Sequence, residues 1–125
     1  MAATDSLVDQ NSSARFFRRL DGVYKKQLDQ VIQWQQLENF NENPSIVCVD
    51  LNNTAFSEVY RKLSQNHNDA FVEAGQGFGA TYSLGGVPYR IDFILTPSKI
   101  KVLEYHTHDV KLSDHKPITA TLSWN

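Results

Sequence analysis

SIVCVDLNNTAFSEVYRKL, residues 45–63, decides the fold. Ile46, Val47, Cys48, Val49 and Leu51 are apolar on both alternating faces, which predicts a central strand covered on both sides, with Cys48 a small buried thiol. The polar Asn52, Asn53 and Thr54 stop that run. Phe56, Val59, Tyr60 and Leu63 then recur on one side of a helix for which Thr54 is a suitable N-cap. Strand, polar turn and helix make an α/β unit. Asp50 and Asn52 stand at the mouth of the strand, where two readings compete: an Asx turn that ends the strand, or the floor of a metal site.

Upstream, the pattern is helical from Ser12. Either Ser12 or Ser13 can cap the first turn, and Phe17, Leu20, Tyr24, Leu28 and Val31 draw one apolar stripe at three- and four-residue steps. Arg15, Arg18, Arg19, Lys25 and Lys26 fall on the remaining surface, as a solvated outer face does. The helix is expected to fade through ENFNENP, because Pro44 disfavours helix at Asn43 and asparagines favour turns. Downstream of the QNHND turn, FVEA, GATYSL, VPYRIDFIL, IKVLEYHTH and ITATLSW are short β-rich runs punctuated by Gly and Pro. The expected fold is therefore α/β (α+β): one mixed, mostly antiparallel sheet with two helices on one face. Residues 1–11 read as a flexible tail and 12–125 as one domain.

Composition narrows the function only a little. The 125 residues are 41% hydrophobic, enough for a real core, and the 12 basic against 14 acidic residues give a net charge of −2. A balance of this kind is not that of a dedicated nucleic-acid binder, so an anionic partner must be met locally. The single cysteine cannot form an internal disulfide. No apolar run reaches the ~18 residues of a membrane helix, the start carries no signal-peptide pattern, and no compartment is assigned.

The chemistry lies in where the polar breaks fall. Asp92 interrupts the apolar alternation of YRIDFIL, and Asp114 with His115 occupies the loop just before ITATLSW. An aspartate among Ile91 to Leu95 must face a partner or a cavity, since an unpaired buried carboxylate costs several kcal/mol. His115 is the obvious partner: an Asp–His pair fixes the imidazole tautomer and raises its basicity. Asp50 and Asn52 are oxygen ligands of the kind that suit hard Mg²⁺, which retains waters and engages phosphate. Together these groups point to metal-assisted phosphate chemistry. Taken singly, DLN after a strand is an ordinary Asx turn and SDH an ordinary polar loop; their joint order carries the signal.

The ordered blocks VDLNNTAFSEVYRKL, DAFVEAGQGFGATY, YRIDFIL and KLSDHKPI resemble the endonuclease/exonuclease/phosphatase superfamily of metal-dependent phosphodiesterases and phosphatases. The resemblance covers nearly the whole chain after the tail. It implies that Asp50 and Asn52 match the Asp and Asn of a GDxN block that contacts the scissile phosphate and helps activate water. Asp92 then matches the Asp of an R-I-D-[FY] block that orients the catalytic histidine. Asp114 and His115 match an SDH block, its aspartate at or near the metal and its histidine acting on phosphate or nucleophile. The implied catalytic residues are Asp50, Asn52, Asp92 and His115, with Asp50 and Asp114 at the metal, Asn52 on the substrate, and Mg²⁺ or Mn²⁺ as cofactor. The substrate is a phosphate ester, either nucleic acid or a small phosphodiester or phosphomonoester.

Two departures qualify the match. Val49 stands where the family usually has glycine, so the backbone there cannot take a glycine-only conformation. The family's domain is also a four-layer sandwich of two similar halves, the first of which supplies an Asn, the principal Glu metal ligand and a further His or Tyr. Residues 11–44 look like the helix joining the halves, so the chain resembles the C-terminal half and is expected to be inactive alone. Its inner sheet face, normally packed on the other half, is expected to be apolar and to drive homodimer formation. The other function class is a non-catalytic binding or assembly module that keeps the half-fold.

The remaining features have plain readings beside sharper ones. His106 and His108 fall on one strand face, where they suit either a solvated edge or, with Asp109, a Zn²⁺ site. GQGFGATY reads as a turn into a strand rather than a phosphate cradle, because no helix follows it. In the resembled family this stretch lies near the substrate groove, which makes Phe78 and Tyr82 candidates to line it. Lys116 is either an exposed loop lysine or a phosphate contact.

Overall fold

The computed structural model describes residues 22–38 and 44–124. Helical residues 22–38 (α1) lead to β1 (Val47–Asp50), α2 (Glu58–Leu63), β2 (His67–Asp69) and α3 (Ala70–Ala74), and then to five strands: β3 (Tyr82–Leu84), β4 (Val87–Tyr89), β5 (Asp92–Pro97), β6 (Lys101–Thr107) and β7 (Ile118–Ser123). The tail, Ser12, Ser13, Arg15, Phe17, Arg18, Arg19, Leu20 and the FNEN segment at 40–43 lie outside the described residues.

The fold is mixed α+β with antiparallel pairing, as the patterning predicts. The hydrogen bonds divide the strands into three ladders: β1-β5-β2, the hairpin β3-β4 and the hairpin β6-β7. A lone bridge between Tyr82 and His115 ties the first hairpin to the loop before β7. Strand β5 is the middle of its ladder, and Phe93 to Pro97 are all buried. Its alternate residues serve two cores. Phe93 and Leu95 pack with Val31, Leu51, Val59 and Leu63 beneath α1 and α2, joined by Tyr24 and Leu28 of the apolar stripe and by Trp34. Ile94 points to the other face, against Ala70 of α3 and Tyr105 of β6.

Three local expectations are corrected. β1 is an edge strand, not a central one, and Cys48 is exposed. Val47 and Val49 face the helices, whereas Ile46, 42% exposed, and Cys48 face away from them. An apolar run states that both faces can be covered, not what covers them. Helix α2 starts at Glu58 with Ser57 as N-cap, accepting the Tyr60 N–H at 3.1 Å; Thr54 instead closes the turn before it through its carbonyl. FVEA is helical because Asp69 caps it, Oδ1 accepting the Phe71 N–H at 3.0 Å, a local signal stronger than the β-propensity of Phe and Val.

Between the two cores lies a buried polar knot. Asp69 Oδ2 accepts from Arg90 at 2.7 Å and from the Tyr60 hydroxyl at 2.7 Å, while the guanidinium stacks 4.5 Å from the Phe71 ring and 4.8 Å from Phe93. Burial, and then the hydrogen bond to Asp69, push the Tyr60 phenol up to about 12. Gly79 passes so close to Phe71 that a Cβ would run into the ring, and its φ of +65° is the left-handed region that glycine enters most readily. The Gly-rich loop is thus a turn packed on Phe71 at Gly75 and Gly79, with 76–78 exposed between them.

Candidate active site

Antiparallel register sets the site. Asp50, the last residue of β1, is the direct cross-strand partner of Asp92, the first residue of β5, so the two carboxylates project from the same face. Like charges so placed repel. His115 relieves them: its Nδ1 lies 2.8 Å from Asp92 Oδ2 and its Nε2 3.7 Å from Asp50 Oδ2. Since an ionised carboxylate only accepts, Nδ1–H donates to Asp92, and Nε2 is turned toward Asp50. The Asp92 hydrogen bond above all holds the imidazole above its ordinary 6.5; burial opposes it, and the charges of Asp92, Asp50 and Asp114 add to it.

Local turns aim these groups. Asp50 Oδ1 accepts the Asn52 N–H at 2.9 Å, and Asn52 takes φ +48°, a left-handed conformation that Asn tolerates better than most residues. The Asx turn is therefore present, and it uses only one carboxylate oxygen; the other faces His115. Val49 is an ordinary strand residue opposite Phe93, so the positive φ needed for the turn falls at Asn52 and not beside Asp50. The His115 N–H donates to Ser113 Oγ at 3.0 Å and the Ser113 hydroxyl donates to the His115 carbonyl at 3.1 Å, which folds the SDH loop.

The structure brings Asp50, Asp92 and His115 together: one ligand atom from each lies within 4.8 Å of the others. Asp114 does not join that carboxylate–imidazole group, and Asn52 meets it through its backbone N–H to Asp50. They line an adjoining cavity of about 370 Å³ with Asn53, Thr54, Tyr82 and His115. Two carboxylates and an imidazole suit a divalent cation, and Asp50 Oδ2, the oxygen that the Asn52 N–H does not engage, is the one placed to hold it. Tyr82 lines the cavity, its ring 5.0 Å from the imidazole, whereas Phe78 is 94% exposed and outside it. Lys116 pairs with Asp109 at 3.4 Å. His106 and His108 have their rings 6.2 Å apart and tilted, the first 3.6 Å from Glu104 and the second hydrogen-bonded to Thr119.

Residues 13–115 match the Endonuclease/Exonuclease/phosphatase family. The chain belongs to that family. Members of this endonuclease/exonuclease/phosphatase family act on phosphate esters. No curated protein matches the sequence. Among solved structures, the chain is similar to the Bacteroides thetaiotaomicron mannosyl-6-phosphatase Bt3783 at 18% identity and TM-score 0.65, covering 79% of this chain and 46% of that one. An endonuclease/exonuclease/phosphatase from Bacteroides vulgatus aligns at 24% identity and TM-score 0.65, covering 81% of this chain and 45% of the other. A family protein from Bacteroides thetaiotaomicron aligns at 17% identity and the same score, covering 82% and 46%. These likenesses establish the fold. The chain spans less than half the length of these structures.

Sequence reasoning missed Thr81. It is fully buried, and its hydroxyl accepts the N–H groups of Ile91 at 3.2 Å and Asp92 at 3.3 Å. No local signal marks it, because Thr81, Tyr82 and Ser83 carry hydroxyls in succession and nothing in the sequence sets the first apart.

Proposed function

We propose that the chain is the C-terminal part of a Mg²⁺-dependent phosphoric-ester hydrolase. The observation that carries this is the imidazole held between two facing carboxylates at the wall of an open cavity that Asn52 and Asp114 also line. A bound Mg²⁺ or Mn²⁺ would supply a Lewis acid that polarises the phosphoryl group and acidifies water. Asp50 would hold it, with Asp114 at the cavity wall. Asp92 fixes the His115 ring with Nδ1 protonated, so that Nε2 is the atom that meets phosphate or nucleophile. Asn52, in its left-handed turn, offers an amide to a phosphate oxygen. The mannosyl-6-phosphatase likeness supports including phosphomonoesters with phosphodiesters among the substrates tested.

Taken alone the chain is expected to be inactive, because Asp50, with Asp114 at the cavity wall, would leave most of a coordination shell to water. The test is hydrolysis of a panel of phosphate esters by the longest protein that carries this chain, beside the chain itself. Mg²⁺-dependent turnover in the former, reduced ~10²–10⁴-fold by His115→Ala, supports the reading. No turnover in either supports the binding-module reading. Rapid hydrolysis of bis(p-nitrophenyl) phosphate by the isolated chain, abolished by His115→Ala, overturns the expected inactivity.

Exposure of Ile46 and Cys48 on the sheet face turned away from α1 and α2 favours self-association through that face. Light scattering after size exclusion is expected to give a homodimer; a clean monomer at high concentration contradicts it.

A further inference from the structure

The dyad of Asp92 and His115 is assembled from two chain segments that share no regular ladder. β4 ends at Tyr89 and β5 begins at Asp92, so the intervening peptides lie between strands. His115 sits in a loop held to the rest of the sheet by an isolated bridge. Something must hold both segments to a common reference, because an imidazole on a free loop would not keep one hydrogen bond to a strand carboxylate.

We infer that Thr81 is that reference, a positioning residue for the dyad. Its Oγ1 accepts the Ile91 and Asp92 N–H groups at 3.2 and 3.3 Å, fixing the start of β5. Its carbonyl accepts the N–H of Lys116, next to His115, at 2.7 Å, and its own N–H donates to the Tyr89 carbonyl at 2.9 Å. The next residue, Tyr82, bridges His115 and lies against its ring. The Ile91 peptide extends the tie to the third corner, its carbonyl accepting from Leu51, between Asp50 and Asn52, at 2.9 Å. Thr81 therefore touches no reacting atom, yet one fully buried side chain and its own peptide bind the Asp92 segment to the His115 loop. The hydroxyl is needed for this. Valine has the same shape but no acceptor, and it would strand two N–H groups.

The inference rests on the reading of Asp92 and His115 as a working pair, and its test needs no turnover. Long-range ¹H–¹⁵N correlation spectra report which His115 nitrogen carries the proton. The unaltered chain and Thr81→Ser are expected to show the neutral ring protonated at Nδ1. Thr81→Val is expected to lose that preference and give a mixture of tautomers. If Thr81→Val melts earlier but keeps the Nδ1–H tautomer, Thr81 is structural only and the inference fails. Amide exchange in the unaltered chain tests the same tie without a variant. The Lys116 amide is expected to be protected as strongly as that of Asp92, and exchange more than about tenfold faster contradicts the inference. Absence of hydrolysis with these results intact would discredit the functional reading alone.

Discussion

Two carboxylate clusters sit on the same short sheet and behave as opposites. Asp69 and Arg90 have side-chain exposures of only 3% and 12%, and both carboxylate oxygens are met by protein: Asp69 by Arg90, Tyr60 and the α3 N-terminus, with the guanidinium held over two aromatic faces. Asp50, Asp92 and His115 are 42%, 19% and 27% exposed, and Nε2 with Asp50 Oδ2 is left at 3.7 Å, too long for a hydrogen bond. The first cluster is complete within the fold. The second has bonding capacity left over, directed at solvent, which is what a cation or phosphate site requires.

The comparison breaks most visibly at Asp69. Asp69→Ala strands a buried guanidinium and uncaps α3, so urea unfolding is expected to show a loss of ~3–5 kcal/mol. Tyr60→Phe removes one hydrogen bond to the same carboxylate and should cost ~1.5–3 kcal/mol. If either change were nearly neutral, the knot would not be structural. At the other cluster the expected losses are small. Asn52→Ala places a Cβ at φ +48° without an Asn side chain and should cost ~1–2 kcal/mol, while Asn52→Gly should not.

The smallest stability effect is predicted for Asp92→Asn, and it has a defined pH dependence. His115 is held above 6.5 in the folded chain, so its contribution to stability is fully present below the unfolded value and is lost as pH rises through the folded one. Asp92→Asn should bring the NMR titration midpoint of His115 back toward 6.5 and flatten that dependence in the metal-free chain. An unchanged midpoint would show that the short Nδ1 contact is not the cause of the shift.

Both clusters were unequally legible in the sequence. Asp92 stood out because it broke an apolar pattern, Asp50 because it stood at the end of one, and His115 because it followed an aspartate in the polar loop before a strand. Their meeting depended on the β1–β5 register, which no local pattern encodes. Asp69 was read as part of a turn, since an aspartate before FVEA looks the same whether it caps a helix or only bends the chain. Cys48 was misread because the same alternation describes a strand buried between layers and an edge strand with one bare face. Thr81 was invisible, as a buried hydroxyl acquires its role only when remote backbone N–H groups arrive.

The most direct test of the central claim is a Mn²⁺ titration followed by NMR line broadening. If the unsaturated cluster is a cation site, even weak binding should first broaden signals from Asp50, Asp92 and His115. The signals of Asp69 and Arg90 should sharpen no distinction between metal-free and loaded protein until much later, and Asp50→Asn should abolish the early effect. Broadening that begins at His106 and His108, or that is indifferent to Asp50→Asn, would contradict it.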